Sequence, residues 1–193
     1  MVQRTDIAGQ RLESDGANLN VVLHRILNSR ANLPDHVFKY VRNIYEGFDR
    51  FRLDILPSGY LQLVAQERDC DVPANRLSDG TIRFLCLLAV LLEPNPPALL
   101  CIDEPDLGLH PDLIQVLADL LVQASKRMQI IASTHNERLI DCLAGNPESI
   151  LAFDREDGAT VVKRLDAKEL EPRLKKYSMS ELWSRGQLGG TRW

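Results

Sequence analysis

The chain has 193 residues, 45% of them hydrophobic, and a formal net charge of −4. That is enough apolar material for one sizeable core, and no stretch approaches the roughly 18 consecutive apolar residues of a membrane span. The opening, MVQRTDIAGQ, lacks the apolar segment of a signal peptide, and the acidic balance leaves only a local basic face to argue for a nucleic-acid partner. The four cysteines, Cys70, Cys86, Cys101 and Cys142, show no CxxC or CxxH spacing. Cys86 and Cys101 lie in apolar runs, where a thiol acts as a small hydrophobe, so a reducing, cytoplasmic setting is expected rather than a disulfide or zinc framework.

Taken in chain order, Leu19, Val22, Leu23, Ile26 and Leu27 follow helical spacing from Asn18 to Asn28. Val37, Phe38, Val41, Ile44 and Tyr45 do the same after Pro34-Asp35. Phe51, Leu53 and Ile55 then alternate with polar residues, Pro57-Ser58-Gly59 turns, and Leu61, Leu63 and Ala65 alternate again, which predicts a hairpin. The polar connection DCDVPANR (69–76) leads to LSDGT (77–81) and an apolar helix reaching about Leu92, with Ser78 suited to cap it. The prolines of EPNPP (93–97) stop that helix before the strand LLCIDEP (99–105). Pro111 starts a helix with Ile114, Leu117, Leu120, Leu121 and Ala124 on one face. Gln129–Ser133 and Ser149–Phe153 read as further apolar strands, the latter turning through Asp157-Gly158 into Thr160–Val162. Strands without alternation between amphipathic helices predict an α/β fold with a mainly parallel sheet covered on both faces. The expected organisation is an N-terminal helical and hairpin region, residues 1–76, followed by residues 77–193, or one continuous domain.

Three signals carry the chemistry. LSDGT places a hydroxyl and a glycine at a helix start, where free N–H groups and the helix dipole favour an anion; an ordinary cap would look the same. LLCIDEP ends a buried-type strand in Asp103 and Glu104, and an ionised carboxylate is costly to bury without a partner, so the pair suggests a site for cations or a polar substrate. IIASTH (130–135) ends a second strand at His135, one strand–helix–strand unit further on, at the same expected sheet edge.

This ordered set resembles the C-terminal lobe of ATP-binding-cassette type ATPases of the prokaryotic RecF/SMC-like group. LESDGANLNVVL (12–23) is similar to the group's segment before its helical insertion, IDEPDLGLHPDL (102–113) to its Walker B and D-loop, and ELWSRGQLGGTRW (181–193) to the tail of some members. The resemblance implies a partial P-loop NTPase fold. It implies that Asp103 helps hold Mg2+, that Glu104 polarises the attacking water and that His135 touches the γ-phosphate. Ser78, Asp79 and Gly80 take the place of the signature residues, which contact ATP bound by the opposite subunit of a dimer. Asp79 stands where transporters carry glycine, and His110 where many relatives carry the D-loop aspartate; both fit the RecF-like subgroup.

No GxxxxGK[ST] loop occurs in the chain. The resemblance therefore implies that a Walker A-bearing lobe comes from elsewhere, whether this is a piece of a longer ATPase or a chain that works with another. Part of an ATPase is the favoured function, and a nonhydrolytic module that docks on a complete ATPase is the alternative. A Toprim-fused nuclease is disfavoured, because Asp154-Arg155-Glu156-Asp157 lacks a DxD pattern and reads as a solvated hairpin end. Arg83 reads as an exposed helical arginine, Arg173, Lys175 and Lys176 as a solvated face, and Trp183 and Trp193 as packing for the tail. Without the missing lobe, Gln129–Ser133 is expected to have an unpaired edge, which association or the N-terminal residues would fill.

Overall fold

The computed structural model describes residues 2–4, 11–28, 42, 47–68 and 70–190, and these divide into two compact units, Met1–Ser133 and Thr134–Trp193. The helix expected around Val37–Tyr45 lies outside the described residues apart from Arg42, as does Trp193. Among the described residues no helix is long and apolar enough to cross a membrane.

In the first unit the elements are β1 (Val2–Arg4), α1 (Leu19–Asn28), β2 (Phe48–Ile55), β3 (Tyr60–Glu67), β4 (Asp71–Pro73), α2 (Asp79–Leu91), β5 (Leu99–Asp103), α3 (Leu113–Ala124) and β6 (Gln129–Ser133). The expected hairpin forms: β2 and β3 pair antiparallel around a turn in which Gly59 has φ +78° and its N–H donates to the Leu56 carbonyl at 2.8 Å. A glycine suits that left-handed position because it has no Cβ to clash. β1 pairs with the first half of β3 and β4 with its second half, so both occupy the edge of β3 opposite β2. Val2–Arg4 thus join the antiparallel sheet and not the edge of β6.

In the core of this unit β3 packs against α1. Leu61, Leu63 and Ala65 of β3 are buried, as are Leu19, Val22 and Ile26 of α1. α2 packs against both α1 and α3, and buries Phe84, Leu85, Leu88 and Leu91. Each such large side chain taken from water contributes about 2 kcal/mol. α2 ends where Pro94 stops it, and Glu93 there is only 4% exposed. The Glu93 carboxylate accepts from both Arg25 terminal nitrogens, at 3.0 and 2.5 Å, while Arg127 donates to the carbonyls of Glu93 and Leu91 at 2.8 and 2.7 Å. Two arginines from separate segments therefore fasten the end of α2.

β5 and β6 pair in parallel, joined through α3, with Asp103 in register with Ser133. Among the described residues this sheet has two strands, and the expected cover on both faces is not found: Leu99, Cys101 and Asp103 are exposed while Leu100 and Ile102 are half-buried. A single strand–helix–strand unit supplies one crossover helix, and hence cover for one face. Cys101 consequently sits on the open face instead of in a core, and among the described residues β6 pairs with β5 alone.

The second unit holds α4 (Glu137–Cys142), β7 (Leu151–Glu156), β8 (Ala159–Arg164), α5 (Ala167–Leu174) and α6 (Met179–Ser184). The strand expected from Ser149 pairs antiparallel with β8 and belongs to no parallel sheet. Asp157 and Gly158 both have positive φ, +49° and +85°, which matches the right-handed twist of a two-residue hairpin and decides the antiparallel pairing locally. Leu165, Leu170, Met179, Leu182 and Leu188 form this unit's core, and Ser178 with Glu181 makes a reciprocal cap on α6. Trp183 does anchor the tail, its indole N–H donating to the Gly190 carbonyl at 2.7 Å. Asp154 departs from a solvated hairpin end, because it accepts from the Gly190 N–H at 2.9 Å. Arg173, Lys175 and Lys176 are exposed, as a solvated face requires.

Candidate functional site

The start of α2 is built as its sequence suggests. Ser78 Oγ accepts from the Thr81 N–H at 3.2 Å and lies 2.9 Å from the Thr81 hydroxyl, and Asp79 is exposed in the first turn, where its charge suits the helix dipole. Gly80 has a structural reason of its own. A Cβ there would lie 2.5 Å from the carbonyl oxygen of Gly108, so the helix start and the turn after β5 touch backbone to backbone. Gly108 has φ +75°, which aims that carbonyl at the helix. His110 follows, its Nδ1 accepting from the Asp112 N–H at 3.3 Å. Between this turn, α2 and β2 lies a cavity of about 410 Å³ walled by Phe48, Phe51 and Phe84, with Ser78, Thr81 and His110 also lining it.

At the end of β5 the chain makes an unusual bend. Glu104 has φ +46°, the left-handed region that a non-glycine residue adopts at a cost of about 1 kcal/mol or more, so surrounding bonds must hold it there. Its N–H donates to Ser133 Oγ at 3.2 Å, and its carbonyl accepts from the Leu107 N–H at 3.1 Å and from Arg83 Nη2 at 2.8 Å. Arg83 is thus half-buried and bonded, not an exposed helical arginine. Ser133 Oγ in turn donates to Asp103 Oδ1. The bend breaks the alternation of the strand, so the consecutive carboxylates are not bound to opposite faces as they would be in a continued strand.

Of the residues expected to form a site, Asp103 and Glu104 lie together at the C-terminal end of β5, with Ser133 beside them. Ser78 and Gly80 lie at the start of α2, and Gly80 touches the turn that follows the carboxylates. His135 stands two residues beyond Ser133 in sequence, is exposed, and belongs to the second compact unit. The backbone after it is fixed by Asn136, whose Oδ1 accepts from the Arg138 and Leu139 N–H groups at 2.9 and 3.2 Å. Sequence reading missed Ser133 and the bond made by Arg83. The signal for Ser133 was present, since β5 and β6 are parallel strands of equal length that end in Asp and Ser.

The donor set suits one kind of cation. Magnesium takes oxygen ligands, keeps much of its water, and is held by one or two carboxylates plus substrate phosphates. Asp103 is exposed, with one carboxylate oxygen tied to Ser133 and the other without a partner among the described residues. No group of three His, Cys, Asp or Glu converges to hold a metal among the described residues. The open Asp103 oxygen is thus of the type that magnesium accepts.

Residues 5–141 match the family described as "AAA domain, putative AbiEii toxin, Type IV TA system". The chain belongs to this AAA-domain family. The matched segment contains α2, the carboxylate turn and His135. A curated relative, the retron Ec83 probable ATPase of Escherichia coli, is 27% identical over 146 residues, covering 67% of this chain and 26% of the relative. The chain thus spans about a quarter of the length of that relative. Among solved structures, one from work on ATP-driven dimerization and DNA-stimulated activation of SMC ATPases superposes with a TM-score of 0.51 at 20% identity, covering 72% of this chain and 86% of the other. The Smc head domain with an extended coiled coil bound to the C-terminal domain of ScpA, from Pyrococcus furiosus, gives 0.54 at 21% identity, covering 74% and 36%. The fold is α/β, of the P-loop NTPase kind found in SMC heads.

Proposed function

We propose that this chain supplies the carboxylate and signature elements of an ATP-hydrolysing assembly whose phosphate-binding loop comes from a Walker A-bearing lobe or chain. The observation that carries this reading is the Asp103–Glu104 bend, held at the C-terminal end of a parallel strand by bonds to both sides of the Glu104 peptide. In open α/β sheets that edge is where ligands bind. Membership of an AAA-domain family and an SMC-head fold support it.

In this reading Asp103 presents its unbonded carboxylate oxygen to Mg2+, and Glu104 accepts a proton from the water that attacks the terminal phosphoryl group. Magnesium supplies charge neutralisation on the phosphates, which is most of what phosphoanhydride hydrolysis asks of its surroundings. His135 contacts the γ-phosphate by donating a hydrogen bond. Ser78, Asp79 and Gly80 serve ATP held by the opposite subunit of a dimer, their N–H groups facing its phosphate. A nonhydrolytic module contributing LSDGT in trans is the second reading.

Calorimetric titration with Mg-ATP tests the choice. The chain alone should bind weakly, because carboxylates repel a polyanionic nucleotide unless backbone N–H groups and a lysine offset them. With a Walker A-bearing lobe added, binding and turnover should appear together. Binding without turnover favours the nonhydrolytic module, and tight binding by the chain alone contradicts both readings.

A further inference from the structure

The hydroxyl of Ser133 bonds to both of the neighbouring acidic residues at once. It accepts the Glu104 N–H at 3.2 Å and donates its own proton to Asp103 Oδ1. Register makes this a built arrangement: Ser133 is the residue directly paired with Asp103 across the parallel ladder, and both lie on the exposed face of the two strands. A hydroxyl has one proton to give, and here it goes to one carboxylate oxygen, leaving the other oxygen as the outward-facing acceptor. The same atom supplies the acceptor for the N–H of a residue in the left-handed conformation, while Arg83 and Leu107 hold its carbonyl. Alanine at position 133 would remove the bond to the Asp103 carboxylate and the bond from the Glu104 N–H.

We infer that Ser133 is a positioning residue: it fixes which oxygen Asp103 offers to a divalent cation and holds the backbone bend at Glu104. This inference rests on the reading of Asp103 as a magnesium ligand. It goes beyond that reading by placing the control of the Asp103 carboxylate on the neighbouring strand, through the paired residue Ser133. Hydrogen-bond partners of metal ligands commonly change affinity about 10- to 100-fold when removed.

The test uses the chain assembled with a Walker A-bearing lobe and ATP, and two substitutions in the chain, Ser133→Ala and Ser133→Thr. Threonine keeps the hydroxyl, and position 133 is exposed, so the extra methyl has room. Amide exchange at Glu104 reads the bend, and Mn2+-induced broadening of the Asp103 and Glu104 resonances reads the cation. Ser133→Ala should speed Glu104 exchange and raise the Mn2+ concentration for half-broadening about tenfold, with the melting temperature unchanged. Ser133→Thr should restore both. If Mn2+ broadens wild type and Ser133→Ala at the same concentration, the positioning role is overturned while the metal site stands. If Mn2+ spares Asp103 in wild type, the magnesium reading itself fails and the inference with it. Loss of both signals in Ser133→Ala that Ser133→Thr does not rescue would also overturn it, since the effect would then follow from packing and not from the hydroxyl.

Discussion

The carbonyl oxygen of Gly108 lies 2.5 Å from the point that a Cβ on residue 80 would occupy. A methyl group there meets backbone, which cannot swing aside as a side chain can. Gly80→Ala should therefore destabilise the chain by about 1–3 kcal/mol, the usual range for overpacking, in place of the gain that alanine brings to an ordinary helix position. Thermal unfolding checks this; an unchanged or higher melting temperature would show that the contact is not tight in solution. The same contact gives Gly80 a purpose in folding that is independent of any nucleotide.

Arg25 and Glu93 form the most buried ion pair among those described, with side chains 29% and 5% exposed. Removing one partner leaves the other charge in a site it cannot occupy cheaply. Arg25→Ala should cost about 3 kcal/mol, at the lower end for buried pairs because the arginine is partly open to water. Denaturant unfolding at neutral pH measures it. A loss below about 0.5 kcal/mol, the range of surface substitutions, would contradict the role of this pair in fastening α2.

The cysteines should separate by reactivity. Burial pushes the Cys86 thiol above its ordinary value, with nearby Arg83 opposing the shift, whereas Cys70 and Cys101 are exposed. The thiolate is the nucleophile, so Cys86 holds less of it at any given pH and should be alkylated after Cys70 and Cys101 at about pH 8, with its rate rising as pH rises. Mass mapping of a time course reads the order. Early modification of Cys86, or protection of Cys101, would contradict the open face of β5.

The parts of the molecule legible in the sequence are those fixed by residues close in the chain. Leu53, Pro57–Gly59 and Leu63 specify the β2–β3 hairpin, Ser78 and Thr81 the cap, and the run Leu99–Asp103 its own strand. What depended on neighbours distant in sequence was less accessible. The exposure of Leu99 and Cys101 follows from what covers a strand, and an apolar run does not state its cover. The antiparallel pairing of β7 follows from two positive-φ residues at 157–158, a local signal that the hairpin reading caught while the parallel-sheet expectation overrode it. Glu104 gave no sign of its left-handed conformation, because the bonds that hold it come from Arg83, one helix earlier, and from Ser133, one crossover later. Of the candidate site, residue types and order were readable, and the hydrogen bonds that orient them were not.

The proposed chemistry turns on Glu104 as the group that takes a proton from water. Glu104→Gln keeps the shape and the backbone bonds of the bend while removing the base, so the informative measurement is steady-state ATP hydrolysis by wild type and Glu104→Gln in the same assembly with a Walker A-bearing lobe, alongside nucleotide binding. Hydrolysis should fall by about 10²- to 10⁴-fold with ATP affinity retained. Glu104→Gln turning over ATP at the wild-type rate would contradict the assignment of this carboxylate, and with it the reading of the Asp103–Glu104 bend as the hydrolytic centre.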